Sequence, residues 1–169
     1  DIDIVIELIG GTTVARDVVV SALEAGKNVV TANKALMATH GEEVMHLAEK
    51  MNRELAFEAS VGGGIPIIDP LKHSLISNEI TSVMGIVNGT TNYMLTRMVD
   101  DNLSYDEALK EAQERGFAEA DPTADVDGFD AASKTAILAS IGFGTRVTTD
   151  DVYQQGIRTI GAEDIAQAR

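Results

Sequence analysis

The sequence has 169 residues, of which 44% are hydrophobic and 4% aromatic, and its 27 acidic residues against 13 basic ones give a net charge of −14. This length fits one compact domain, or a small domain joined to part of another, with an aliphatic core. The negative charge argues against nucleic acid or an anionic membrane as a partner. The lack of cysteine excludes disulfides and cysteine-bound metals, and no apolar run approaches the ~20 residues of a membrane span. We therefore expect a cytoplasmic protein.

The first 60 residues alternate short apolar runs with patterns of helical spacing. Strands are predicted over residues 3–9, 27–34 and 54–60, and helices over residues 14–25 and 39–52. This alternation indicates βαβ units in a mostly parallel sheet. Because the sequence begins directly inside an apolar strand, we expect it to be a fragment whose sheet has further strands outside this chain.

Beyond Gly62–Gly64 the pattern changes to that of a smaller α+β unit. The predicted elements are a helix over residues 65–76, a strand over 79–89, helices over 92–101, 104–116 and 130–144, and a strand or loop with a short helix over 147–169. Ser104 has the position of an N-cap for the charged helix that follows it. The fold class is thus α/β, with a domain boundary near residue 62.

An acidic segment, GFAEADPTADVDGFDAASK (116–134), leads into the most apolar of these helices. On that helix Asp130 and Lys134 lie one turn apart, and the same face continues with apolar residues (Ile137, Leu138 and Ile141). We therefore expect the pair to face inward, where burial lowers the pKa of a lysine toward the range useful for proton transfer and a neighbouring aspartate opposes that effect. The alternative is a surface ion pair of ~0.3–0.5 kcal/mol, with Asp127 as an N-cap.

Lys34 follows a buried strand, VVTANK (29–34), at the carboxyl end where ligands bind in open α/β sheets. An ordinary exposed lysine is the alternative. The next strand ends in FEASVGGGIP (57–66), which places Glu58 before three glycines. Such a segment can present amides to a phosphate or carbonyls to a cation. It has no known phosphate-motif spacing, so a tight turn between domains is the simpler interpretation.

Short polar side chains occupy NGTTNY (88–93), where a strand is predicted to give way to a helix. They can cap that helix, which is the simpler interpretation, or hydrogen-bond a small polar substrate. The three histidines have no metal-ligand spacing and are predicted to be surface residues. From the residues alone, the chain is an α/β fragment with a small-molecule site of carboxylates and lysines.

Five segments together resemble one family in their order and spacing. They are ELIGG (7–11), VVTANKALM (29–37), FEASVGGGIPII (57–68), GIVNGTTNYML (85–95) and GFAEADPTADVDGFDAASK (116–134). On this basis the sequence is similar to the homoserine dehydrogenases over essentially its whole length. The resemblance implies the second half of a Rossmann-type NAD(P)-binding domain in residues 1–62, followed by an α+β substrate-binding and dimerisation domain in residues 63–169.

The resemblance also implies a reaction and its residues. Homoserine dehydrogenases interconvert L-homoserine and L-aspartate 4-semialdehyde with NAD(P), on the route to threonine, methionine and isoleucine. Lys134 would be the acid/base that handles the proton of the substrate hydroxyl. Glu119 and Asp130 would bind the substrate through its ammonium group, with Asp125 close to the same pocket. Lys34 would lie between nicotinamide and substrate, as both a catalytic and a cofactor-binding residue.

Further contacts are implied by the same resemblance. Gly116 would belong to the cofactor surface. A monovalent cation, usually sodium, would be held by Glu58 and by the carbonyls of Val61, Gly63 and Ile65, because a hard cation prefers oxygen ligands. The family also implies a homodimer.

The glycine-rich pyrophosphate fingerprint of the family, and the strand before it, are absent from this sequence. We therefore expect the isolated 169-residue chain to turn over poorly or not at all. Two other readings stay open. A Schiff-base lyase would use Lys134 or Lys34 as its nucleophile. A non-catalytic amino-acid sensor or dimerisation module would bind homoserine without turnover.

Overall fold

Three short parallel strands form the only regular sheet in the computed structural model, which describes residues 1–168. The strands are β1 (Ile4–Glu7), β2 (Asn28–Thr31) and β3 (Leu55–Ala56), in the order β1-β2-β3. Ile4 pairs with Asn28 and Val29 pairs with Leu55, and both pairings are parallel. The predicted α/β class with a parallel sheet is confirmed.

Two helices connect these strands. They are α1 (Thr13–Glu24) and α2 (Lys34–Lys50). α1 buries Ala15, Val19 and Leu23 completely, and this spacing places them on one face of the helix. α2 begins at residue 34 rather than the predicted 39, because the Asn33 side chain accepts the Leu36 N–H (3.0 Å) and caps the helix there.

The chain turns sharply after β3. A 3₁₀ turn at Glu58–Ser60 follows, so the strand predicted over residues 54–60 is shortened to two residues. Of the helix predicted over residues 65–76, only a π-helical turn at Pro70–Ser74 forms. Both differences lie beside the glycine-rich loop, which the Glu58 carboxylate closes as described below.

The remaining regular elements are helices. They are α3 (Gly89–Asp100), α4 (Tyr105–Glu114), α5 (Thr123–Val126), α6 (Phe129–Gly142) and α7 (Ala162–Gln167), with a further 3₁₀ turn at Thr149–Asp151. Ser104 caps α4 as predicted, in a reciprocal capping box with Glu107. Within residues 1–168, none of the helices combines the length and the apolar character that crossing a membrane requires.

The packing of α3 against α4 forms an aliphatic core, as the composition predicts. Its buried residues are Met94, Met98, Ala108, Ala112, Ala118 and Val126. The alanines on α4 let the two helices approach closely, and the rings of Tyr93 and Phe117 contact each other at 4.8 Å between centroids.

The chain divides into two compact units. Unit 1 comprises Asp1–Met84 and Ser133–Val152, and unit 2 comprises Gly85–Ala132 and the residues from Tyr153 onward. α6 therefore begins in unit 2 and ends in unit 1. The predicted domain boundary at residue 62 stays a prediction, because the two units are defined by packing within the chain and not by the function of each domain.

The strand predicted over residues 79–89 is wrong. Residues 79–88 have no regular secondary structure, and α3 begins at Gly89. A strand needs hydrogen bonds to a neighbouring strand, and no other segment of residues 1–168 pairs with this one. Two of its apolar side chains are almost fully in solvent, since Met84 is 95% and Ile86 78% exposed. In the described residues after β3, the regular elements are helices and helical turns.

Candidate functional site

The carboxyl edge of the sheet carries a buried carboxylate at the end of β1, that of Glu7. It accepts the hydroxyl of Thr31 (2.6 Å) at the end of β2. It also accepts the N–H groups of Ile9 (2.7 Å) and Gly10 (3.2 Å). Burial raises the pKa of Glu7, but these hydrogen bonds together hold that pKa below its ordinary value. The carboxylate thus fixes the turn after β1, where Gly10 and Gly11 have φ of +80° and +69°.

Asn33 connects this turn to α2. Its side-chain N–H donates to the carbonyl of Gly11 (2.7 Å), while its oxygen caps the helix. Lys34, the next residue, is the first of α2 and is half-buried. Lys34 therefore lies at the carboxyl edge of the sheet, as predicted, and its contact with a cofactor stays a prediction.

Two of the predicted substrate carboxylates meet in unit 2. The side-chain NH₂ of Asn88 donates to Asp125 Oδ1 (2.7 Å) and to Asp130 Oδ2 (2.9 Å). Asp130 is only 5% exposed and Asn88 only 8%. Asp125 and Asp130 thus share one neutral donor, and this arrangement is called the Asn88 cluster below.

Thr90 gives the Asp125 carboxylate a second contact. The Thr90 hydroxyl lies 3.0 Å from Asp125 Oδ2 and 2.7 Å from the carbonyl oxygen of Phe117. A hydroxyl has one proton, so it donates to one of these acceptors at a time. When it donates to Phe117, the Oδ2 atom of Asp125 can accept a donor from a ligand.

The inward-facing stripe predicted on α6 is present. Asp130, Ile137 and Leu138 are at most 8% exposed, and Lys134 is half-buried. Asp130 lies in the first turn, where the partial positive charge of a helix N-terminus stabilises a carboxylate. The alternative of a solvated surface pair is wrong for Asp130, which is buried. The acid/base role of Lys134, one turn later, stays a prediction.

Gly116 and Glu119 lie in the exposed segment after α4. Gly116 has φ of +75°, and the N–H of Phe117 returns to the carbonyl of Ala112 (2.8 Å), as in a Schellman cap. The backbone carbonyl of Glu119 accepts the side-chain N–H of Gln113 (3.1 Å). The role of the exposed Glu119 carboxylate as a substrate ligand stays a prediction.

Two aspartates of the acidic segment have local structural roles. The Asp121 carboxylate accepts the Thr123 N–H (3.1 Å), and hydrogen bonding from Thr123 lowers the pKa of Asp121. Asp121 therefore stabilises the turn before α5. The Asp127 carboxylate instead pairs with the guanidinium of Arg158, whose Nη2 lies 3.2 Å from Oδ2. The alternative in which Asp127 is the N-cap of α6 is wrong, because α6 begins at Phe129, two residues later. The Asp127 side chain ties the later Arg158 segment to this turn instead.

The Glu58 carboxylate closes the glycine-rich loop. One oxygen accepts the N–H groups of Ile67 (2.5 Å) and Ile68 (2.8 Å), and the other accepts the N–H of Asp69 (2.8 Å). Burial raises the pKa of Glu58, but the three backbone donors outweigh it and hold that pKa below its ordinary value. They occupy three of the roughly four lone-pair sites of the carboxylate, so its capacity to bind a cation as well is small.

The backbone of the same loop fits a cation better than the Glu58 side chain does. The carbonyls of Val61, Gly63 and Ile65 accept no hydrogen bond from the described residues 1–168. Gly62 and Gly64 have φ of +68° and +80°, a conformation that favours glycine. Within residues 1–168, no group of three or more His, Asp or Glu side chains is arranged to hold a metal, and the cation predicted for this loop stays a prediction.

A separate cavity of about 480 Å³ lies within unit 1. It is lined by α2, by the last turns of α6 and by residues 144–148, with Met37 and Phe57 among its apolar walls. None of the predicted site residues contributes to it. The cavity is therefore a feature apart from the predicted chemistry.

The sequence does not reveal the residues that hydrogen-bond the predicted site residues and fix their positions. Asn88 is the N-cap of α3, one of the capping residues that the polar segment 88–93 offers, and it accepts the Thr91 N–H (2.8 Å). Its second role, joining Asp125 and Asp130, cannot be seen in the sequence because those residues are 37 and 42 positions away. For Glu7 the sequence does contain a signal of a structural role, because it is an acidic residue at the end of an otherwise apolar strand.

The parallel sheet with its polar carboxyl edge defines a Rossmann-type α/β unit, and the helical unit holds two neighbouring carboxylates, the half-buried Asp125 and the buried Asp130. Comparison with protein families is more specific. Residues 1–58 match the family described as homoserine dehydrogenase, NAD binding domain, and residues 66–169 match homoserine dehydrogenase. The chain belongs to the homoserine dehydrogenase family.

Individual relatives agree with this assignment. The homoserine dehydrogenase of Corynebacterium glutamicum is 58% identical over 169 residues, which are 100% of this chain and 38% of the relative. A crystal structure of the enzyme from Thiobacillus denitrificans has a TM-score of 0.94 at 47% identity, covering 98% of this chain and 38% of that one. A hyperthermophilic archaeal homoserine dehydrogenase in complex with NADPH has a TM-score of 0.84 at 32% identity, covering 93% and 48%. The chain thus spans less than half the length of these relatives.

Proposed function

We propose that the intact protein carrying this chain is an NAD(P)-dependent homoserine dehydrogenase, which interconverts L-homoserine and L-aspartate 4-semialdehyde. Family membership supports the reaction class. The observation that carries the proposal to this substrate is the pair of carboxylates, Asp125 and Asp130, bound by Asn88. The ammonium group of an amino-acid substrate is a cationic donor, which carboxylates bind in charge-assisted hydrogen bonds.

The ammonium group is proposed to bind between these two carboxylates. Hydrogen bonds between an ammonium group and a carboxylate are about twice as strong as those between neutral groups. The low exposure of Asp130 strengthens them further, because less water competes for the same atoms. Glu119, whose carboxylate is exposed, is proposed to reach the substrate once it is bound.

Lys134 is the proposed acid/base. Oxidation of the alcohol requires a group that takes the hydroxyl proton, and the reverse reaction requires the same group to return it. Lys134 is half-buried in α6, one turn after Asp130, so it is a lysine next to a proposed substrate ligand. Lys34 is proposed to contact both the substrate and the nicotinamide from the edge of the sheet.

Gly116 is proposed as a cofactor contact by family resemblance, and so, separately, is the carboxyl edge of the sheet. Gly10 and Gly11 are exposed there, and a Cβ atom added to either would meet nothing within 4 Å, so a ligand can approach the backbone closely. When bound, NAD(P) supplies the acceptor for the hydride that leaves the alcohol carbon. The match of residues 1–58 to an NAD-binding domain supports this surface.

A monovalent cation, sodium by family resemblance, is proposed to bind the carbonyls of Val61, Gly63 and Ile65 beside Glu58. The three carbonyls suit a hard cation. We assign the Glu58 carboxylate mainly to holding the loop, because its oxygens already accept three N–H groups.

We propose a homodimer for the intact protein, in line with the family resemblance. The exposed side chains of Met84 and Ile86 are compatible with an interface. Light scattering at micromolar concentration tests the proposal, and a monomeric mass there contradicts it.

The Lys134→Ala variant of the intact protein tests the acid/base role. We expect it to abolish oxidation of L-homoserine by NAD or NADP, with only a modest change in homoserine affinity measured by calorimetry. Lys110→Ala removes an exposed lysine of α4 and serves as the control, which should retain full activity. Turnover retained by Lys134→Ala would refute the role.

The same assays separate the alternatives. Borohydride trapping of a carbonyl substrate on Lys134 or Lys34 would favour a Schiff-base lyase. Tight homoserine binding by a wild-type protein without turnover would favour a sensor or dimerisation module.

A further inference from the structure

The side chain of Asn88 uses its entire hydrogen-bonding capacity within unit 2. Its two amide hydrogens go to Asp125 and Asp130. Its oxygen accepts both the backbone N–H and the hydroxyl of Thr91, each at 2.8 Å. A carboxamide has two donor hydrogens and two acceptor lone pairs, so the Asn88 side chain has no donor or acceptor left for a ligand. Asn88 therefore cannot be a substrate ligand itself.

The orientation of this amide is fixed by α3. The Thr91 N–H is one of the N-terminal donors that a helix cannot satisfy internally, and it requires an acceptor from the N-cap residue. A flipped amide would place NH₂ against that N–H and would turn the amide oxygen toward two carboxylates. Both contacts would be repulsive, so the amide has a single stable orientation.

That orientation determines where the two carboxylates point. Asp125 is in the four-residue helix α5 and Asp130 is in the first turn of α6, so the two belong to different helices. Two carboxylates repel each other, and without a common donor they move apart or take up a proton. One amide hydrogen for each carboxylate holds the two side chains close together.

We propose that Asn88 is a positioning residue, which holds Asp125 and Asp130 as a fixed pair of acceptors for the ammonium group of the substrate. This inference rests on the proposed homoserine dehydrogenase function. It adds a residue that acts through the carboxylates and touches neither substrate nor cofactor.

Two substitutions in the intact enzyme separate positioning from capping. Asn88→Asp keeps an oxygen for the Thr91 N–H, and Asp caps helices as well as Asn does, but it replaces the shared donor with a third negative charge. Asn88→Ser also keeps a capping oxygen and removes the amide without adding charge. Ser104→Ala is the control, because it removes the N-cap of α4, which has no bond to either carboxylate.

The steady-state parameters for L-homoserine and for NAD(P), together with the melting temperature, decide the question. We expect the KM for homoserine to rise ~10–100-fold in both Asn88 variants, with the larger rise in Asn88→Asp, while the KM for NAD(P) changes less than ~3-fold. Ser104→Ala should lower the melting temperature and leave the KM for homoserine unchanged.

Each remaining outcome counts against a specific statement. An active wild type whose Asn88→Asp variant has a homoserine KM within twofold of normal would overturn the positioning role and leave the proposed function intact. Equal increases in both KM values, or a fall in kcat alone, would assign Asn88 a general structural role and overturn the proposal too. A wild type that does not oxidise homoserine overturns the proposed function, and the inference with it.

Discussion

The hydrogen bonds of Glu58 give the sharpest prediction about stability. Glu58→Ala removes an acceptor from three backbone N–H groups at 2.5–2.8 Å. A hydrogen bond to a charged group contributes ~1.5–3 kcal/mol net when it is buried. Ile68 is 3% exposed, whereas Asp69 is exposed and its N–H can turn to water. Counting two effective bonds at the lower end of that range, we expect a loss of ~3 kcal/mol in the free energy of unfolding.

Glu58→Gln separates the contribution of the carboxylate charge from that of its oxygen acceptors. It keeps one oxygen, which can still accept from Ile67 and Ile68, but it loses the charge and places NH₂ against the N–H of Asp69. We expect a loss of ~1–2 kcal/mol at neutral pH. Urea unfolding followed by circular dichroism measures both variants, with Glu54→Gln, an exposed carboxylate on the approach to β3, as the control.

The pH dependence provides an independent check. The pKa of Glu58 in the folded protein is held below its ordinary value of 4.5. Its charge therefore contributes stability that is fully present above the ordinary pKa and is lost as the pH falls through the lowered one. The difference between wild type and Glu58→Gln should be constant from about pH 6 to 8 and should shrink below about pH 4.5. The same urea midpoint for both proteins at pH 7, or a difference unchanged at about pH 3, would refute the reasoning.

Two further predictions concern the packing of unit 2 and one of its helix caps. A Cβ atom on Gly156 would lie 2.6 Å from the carbonyl oxygen of Val126, so Gly156→Ala should lower the free energy of unfolding by ~1–3 kcal/mol. The control is Gly85→Ala, whose added Cβ meets nothing within 4 Å and which should change that free energy far less. Equal urea midpoints for the two variants would contradict the predicted clash. Ser104→Ala should lower the helix stability by ~1 kcal/mol, measured by urea unfolding, and an unchanged midpoint would show that the capping box is dispensable.

Elements whose cause is local could be predicted from the sequence. The apolar runs of β1 and β2 and the spacing of α1 are properties of short segments, and the structure has all three elements. The N-cap of α4 at Ser104 is readable for the same reason. The inward stripe on α6 was predictable because Asp130 is followed at helical spacing by Ile137 and Leu138, which are buried with it.

Features that depend on distant partners could not be predicted. The apolar residues 79–89 have strand composition, but a strand forms only where a neighbour pairs with it. Glu58 ends the preceding strand because it binds N–H groups from residues 67–69, a contact that no local pattern encodes. Asn88 has the sequence position of a helix cap, and its bonds to Asp125 and Asp130 arise only once α5 and α6 are folded.

The most direct test of the proposed function compares two substrates that differ by one ammonium group. The intact protein is assayed with NAD or NADP and either L-homoserine or 4-hydroxybutanoate, which keeps the alcohol and the carboxylate. A site built to bind a polar group rejects an analogue without that group by ~10⁴-fold or more in kcat/KM, because its buried acceptors are left without a donor. We expect a preference of that order for L-homoserine, carried by Asp125 and Asp130. Values of kcat/KM within tenfold of each other would contradict the account.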